Sequence, residues 1–194
     1  MRDVSGEESW RPFTARQSIT TSRCSFEWRA RTGIGGWLTV TDALIGNEGQ
    51  LRVSAFSLVP LMRSTPSAQL TRGELLRYLA ELPFAPDAML FNSGLVWRSM
   101  SEGRISVGAE LGRISAEVFF ELDSAGRIAT VYAPDRPRAV GRTFVGTPWQ
   151  GSFSDYRMHE GRQLPFFAEV AWILDGMRVV CWRGCIELVR QLNR

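Results

Sequence analysis

The chain has 194 residues, 44% hydrophobic and 22% charged, a balance that excludes a disordered chain of low hydrophobicity and high charge. Its 23 basic and 20 acidic residues leave a net charge of +3, and every basic residue is Arg, so chemistry that needs a lysine amine is excluded: Schiff bases, pyridoxal phosphate and the P-loop. A single histidine, His159, excludes two-His metal sites. The arginines are scattered singly among apolar and acidic residues, not gathered on one face, so no nucleic-acid partner is expected. At ~150 residues per domain, the length favours one domain over 1–194, with 1–9 poorly ordered. No run of roughly 18 apolar residues predicts a membrane span, and the MRDVSGEESWRPF start lacks the apolar run of a signal peptide, so a cytoplasmic location is expected.

In chain order, period-two alternation bounded by Gly, Asp, Asn or Pro predicts about ten strands, at 24–31, 36–45, 50–60, 94–100, 104–111, 114–122, 127–133, 150–157, 165–174 and 177–188. In the first, Cys24, Phe26, Trp28 and Ala30 share one face, with Glu27, Arg29 and Arg31 opposite. In ISAEVFFEL, Ile114, Ala116, Val118, Phe120 and Leu122 share a face. The connecting turns are short, with Asp175-Gly176 the strongest hairpin signal. One segment breaks the alternation. Thr71 and Glu74 have capping-box spacing, and Leu75, Leu79 and Leu82 follow at helical intervals until Pro83, predicting a helix over about 71–82. A second short helical turn is expected after Pro86.

A helix of ~12 residues spans only about 18 Å, too little to cover ten strands, so the sheet must curl over itself. The expected fold is α+β: a strongly curved, mainly antiparallel sheet, half-open like a split barrel, with the helix on its concave side. Such a mouth suits an apolar ligand.

The chemical motifs are mostly negative. Gly33, Gly35 and Gly36 precede strand-like residues, whereas a dinucleotide fingerprint leads into a helix. No Gly-x-Ser-x-Gly elbow occurs. Cys181 and Cys185 on an extended strand lie about 13 Å apart, beyond the ~7 Å that a disulfide spans, so free thiols are expected. His159 falls at a predicted hairpin tip, where water leaves it untuned. Glu117 and Glu121 on one strand face are about 13 Å apart, wider than a glycosidase pair. No catalytic residue, metal ligand or cofactor is assigned.

An ordered series of segments carries a resemblance: WRPFTA at 10–15, FEWRAR at 26–31, DALIGNEG at 42–49, ELLRYLAE at 74–81, PDAM at 86–89, and TPW at 147–149 with Tyr156, Gly161, Pro165, Glu169 and Trp172. Over about residues 10–188 the chain resembles a bacterial family of unknown function. That resemblance implies an architecture similar to the curved-sheet scaffolds of lipoprotein and acyl-chain carriers, although fold does not settle function. Members usually carry more sequence ahead of the Trp10 segment, which puts closure of this sheet in question.

Seven tryptophans fit either core packing or the wall of an apolar cavity. The first expectation is a non-enzymatic protein binding an apolar or amphipathic small molecule, acyl chains included. Its lining would be Trp28, Trp97, Trp149 and Trp172, with Asp42, Glu81, Arg136, Tyr156 and Glu169 as polar anchors. The alternatives are a structural or protein-interaction domain with a filled core, and an enzyme built on Tyr156, Asp42 and Glu169. Oligomeric state is not legible in the sequence.

Overall fold

The computed structural model describes residue 1, residues 10–141 and residues 143–191. The loose order expected over 1–9 falls, for residues 2–9, outside the described residues.

Five strands come first: β1 (Phe13–Ile19), β2 (Phe26–Thr32), β3 (Leu38–Ile45), β4 (Glu48–Ala55) and β5 (Val59–Arg63). Two helices follow, α1 (Ala68–Ala80) and α2 (Pro86–Phe91), then β6 (Val96–Ser101), β7 (Arg104–Leu111), β8 (Ile114–Leu122), β9 (Ile128–Val140), β10 (Thr143–His159), β11 (Arg162–Leu174) and β12 (Met177–Cys185). The strands form a five-stranded sheet, β1 to β5, and a seven-stranded sheet, β6 to β12, each paired in chain order. All pairings are antiparallel. The mainly antiparallel, unclosed sheet expected from the alternation is therefore present, divided in two.

Alternation explains the faces. In β2, Phe26, Trp28, Ala30 and Thr32 are buried while Arg29 and Arg31 are exposed. In β8, Ala116, Val118 and Phe120 are buried. The β10–β11 and β11–β12 hairpins turn on Glu160-Gly161 and Asp175-Gly176, both residues of each pair at positive φ, the twist that joins neighbouring antiparallel strands.

The strand count is twelve, not ten. β1 carries no alternation because its five central positions are all exposed, with burial only at its two ends and only partial there. The 50–60 run divides at Phe56 and Ser57, both at positive φ. β9 and β10 run on through Pro134, Pro137 and Pro148, residues that argue against a strand interior; a register shift between Thr147 and Trp149 absorbs Pro148. The last strand ends at Cys185, short of 188.

Helix α1 lies between the sheets, against β3 and β4 on one side and β7, β8 and β9 on the other. It starts earlier than the capping box suggests. Ser67 is the N-cap, its side chain accepting from the Leu70 amide at 3.1 Å, which releases Thr71 and Glu74 to other work. Thr71 Oγ1 accepts from the Gly49 amide at 3.0 Å, and Gly49 is where α1 meets β4: a Cβ there would sit 2.8 Å from Thr71 Cα. Leu75, Leu76 and Leu79 are fully buried, each contributing roughly 1.5–3 kcal/mol. Arg72 Nη2 donates to both Asp135 carboxylate oxygens at 2.8 and 2.9 Å, and Nη1 to the Asp135 carbonyl at 2.9 Å, tying the helix to β9.

Candidate functional site

Nine of the thirteen residues of α1 are buried, so the charges on its inner surface must find partners inside the protein. Glu74, Arg77 and Glu81 sit at helical spacing on one side. Across the first sheet, register sets Gln17 opposite Trp28 and Trp28 opposite Asp42, a row facing that side of the helix. Arg77 donates from Nη1 to Asp42 and from Nε to Glu81, the latter at 2.8 Å. Gln17 Nε2 donates to the other Glu81 oxygen. The Arg77 guanidinium carbon is 5.0 Å from both the Phe26 and Trp28 rings, so its faces are covered as well as its edges. Burial opposes its charge, but Glu81, Asp42 and Glu74 outweigh that and hold its pKa above the ordinary guanidinium value.

Glu74 is 6% exposed. Its Oε2 and Asp42 Oδ1 are both buried without a hydrogen-bond partner among the described residues, and a proton held between the two carboxyl groups would pair both atoms. Burial, reinforced by the Asp42 charge, pushes the Glu74 pKa well up despite Arg136 and Arg77 nearby, so Glu74 is the carboxyl that favours the proton.

The second sheet contributes a different arginine. Register puts Trp149 opposite Ala133 on one side and Trp172 on the other. The Arg136 guanidinium carbon lies 4.8 Å from the Trp149 ring and 5.8 Å from that of Trp172. Burial lowers its pKa, with the carboxyls of the cluster acting in the opposite sense. Among the described residues it has no hydrogen bond and no carboxylate oxygen within 4.0 Å. Of the two arginines in the cluster, Arg77 is paired with carboxylates and Arg136 is not. Close by, Phe13 bridges the sheets, its ring 5.9 Å from Trp28 and 5.9 Å from Trp182.

Of the residues nominated from sequence, Trp28, Asp42, Glu81, Arg136, Trp149 and Trp172 therefore line one region beside α1. Three lie elsewhere. Trp97 is on edge strand β6, stacked on Phe120 at 6.3 Å. Near it is a half-open groove of about 430 Å³ whose lining includes Met100, Ile105, Phe119 and Tyr132. Tyr156 donates to the Ile128 carbonyl at 2.6 Å, and burial lifts its phenol pKa to about 12. Glu169 has the opposite parity from Trp172 on β11; burial opposes its charge, but Arg178 at 2.6 Å and Arg183 outweigh that and lower its pKa. The constellation Tyr156, Asp42 and Glu169 is thus not assembled. Sequence reading missed Glu74, assigned to the cap, and Arg77, one scattered arginine among many. The signal was an acid, base, acid spacing on a helix otherwise apolar around most of its circumference.

Two unclosed antiparallel sheets around one buried helix, with charges held between aromatic rings at their junction, define an α+β protein of the curved-sheet class. The chain belongs to a family of unknown function, DUF6920, whose model matches residues 2–190. Comparison with curated proteins finds no match, and comparison with solved structures finds none either. Among the described residues, no helix is long and apolar enough to cross a membrane.

Proposed function

We propose that this protein is a non-enzymatic binding protein that holds an amphipathic small molecule, acyl chains included, beside α1, where the half-buried Trp172 adjoins Trp28 and Trp149 of the core. The carrying observation is the juxtaposition of tryptophan rings with a guanidinium that has no carboxylate oxygen of the described residues within 4.0 Å. Aromatic walls with a few fixed polar groups are the usual make-up of a small-molecule site. The reading takes the ligand to be met in the cytoplasm. Native mass spectrometry of freshly purified protein, with the denatured mass as reference and solvent extraction of whatever is released, tests it. A stoichiometric adduct of a few hundred daltons is expected. A clean apo mass, with no uptake from a panel of amphiphiles, would overturn the reading.

A second reading, a protein-interaction domain, has its own support. Every residue of β5 and of β6 is exposed, including Val59, Leu61, Met62, Val96 and Met100, and both are unpaired sheet edges, which are templates for another chain.

A further inference from the structure

Arg77 and Arg136 both lie against tryptophan rings beside α1, and their difference is informative. Arg77 is saturated: two carboxylates take its edges and two rings take its faces. Arg136 has only the rings. Stacking uses the faces of a guanidinium and leaves its in-plane fork of N–H donors unspent, and an enclosed charge without a counter-ion costs free energy until one arrives. The nearby carboxyl that could have served is Glu74, but burial beside Asp42 pushes its pKa well up and favours its neutral form. Asp42 and Glu81 are already engaged by Arg77. Arg136 is half-buried, and none of its nitrogens is among the fully buried atoms without a partner.

We propose that Arg136 is the receptor for the anionic headgroup, carboxylate or phosphate, of a single-chain amphiphile whose apolar part lies against Trp172, half-buried beside the core rings of Trp149 and Trp28. The inference rests on the binding reading above and adds the chemistry of the headgroup. A planar fork suits both anions, since each presents two oxygens to a guanidinium. The indoles of Trp149 and Trp172 hold that fork in one orientation before the ligand arrives, which limits the ordering cost of binding.

Titration of monomeric dodecanoate, dodecyl phosphate and dodecanol, followed by intrinsic tryptophan fluorescence, tests the proposal on the full chain. The wild type should bind at least one of the anions about tenfold or more tighter than the alcohol, as expected for a charge-assisted hydrogen-bonded pair. Their ranking separates a carboxylate from a phosphate ligand. Arg136→Gln should bring all three to within about threefold, and Arg136→Lys should restore only part of the preference because it lacks the fork. If the wild type binds the three alike, or Arg136→Gln keeps the anion preference, the headgroup assignment fails while the binding reading stands. If none of the three binds, both fail. The wild-type comparison decides the matter even where a variant does not fold.

Discussion

Replacing Arg77 by Met keeps most of the aliphatic stem and removes only the charge that organises the interior cluster. The Arg77 side chain is 14% exposed, and its partners Asp42 and Glu81 are 16% and 18% exposed. Removing one member of a buried ion pair leaves its partner uncompensated and costs about 3–5 kcal/mol. The lost contacts to Phe26 and Trp28 add roughly 0.5–2 kcal/mol each if they act independently. Because both effects share one side chain, the total should stay near the ion-pair range, about 3–5 kcal/mol. Against a usual stability of about 5–15 kcal/mol, that is a severe loss. Urea unfolding monitored by far-ultraviolet circular dichroism measures it. Arg29→Met is the control: its pair with Glu27 is 3.3 Å long, with side chains 59% and 41% exposed, and should cost under about 1 kcal/mol. In the Arg77→Met/Asp42→Asn double variant, the loss should fall short of the sum by about 1–3 kcal/mol. A cost below about 1 kcal/mol for Arg77→Met, or strict additivity with Asp42→Asn, would refute the claim that these charges act as one unit.

Other predictions follow from the same packing. Glu74 carries a raised pKa in the fold and titrates near 4.5 when unfolded, so the native state holds its proton in the interval between. Wild-type stability should therefore fall as pH rises through that interval, whereas Glu74→Gln, neutral throughout, is spared; the melting-temperature advantage of the variant should grow from pH 5 to pH 8.5, and a constant difference would contradict a neutral Glu74. Gly49→Ala places a Cβ 2.8 Å from Thr71 Cα and 2.9 Å from the Leu70 carbonyl. Forcing α1 off β4 should cost about 1–3 kcal/mol, read by calorimetry as a drop of roughly 2–4 °C per kcal/mol. Ser67→Ala should cost about 1 kcal/mol in chemical denaturation through loss of the cap; no change would return the helix start to Thr71.

The fold was legible wherever one face of a strand is buried. β2 and β8 alternate cleanly because each presents one face to α1 or its surroundings. Legibility failed where burial no longer dictates residue type, as in exposed β1, or where prolines sit in a strand, as at Pro134 and Pro137. The helix was found but its start misplaced: Thr71 and Glu74 have capping-box spacing, and only tertiary contacts, from Gly49 and Asp42, claim them for packing. The aromatic and polar residues at the candidate site could be nominated because tryptophans and lone charges on apolar strand faces stand out. Which of them converge could not be read, since that depends on two sheets meeting across a helix. Trp97 and Glu169 have the same sequence credentials as Trp149 and Arg136 yet lie on other surfaces.

The most direct test of the account is the two-dimensional ¹⁵N spectrum of the indole N–H groups, in which the seven tryptophans report their surroundings separately. On addition of dodecanoate, the account predicts that the signals of Trp149 and Trp172 move furthest, with Trp28 following, while Trp37 and Trp97 stay in place. Shifts centred on Trp97, beside the Met100 and Phe119 groove, or no shifts at all, would contradict it.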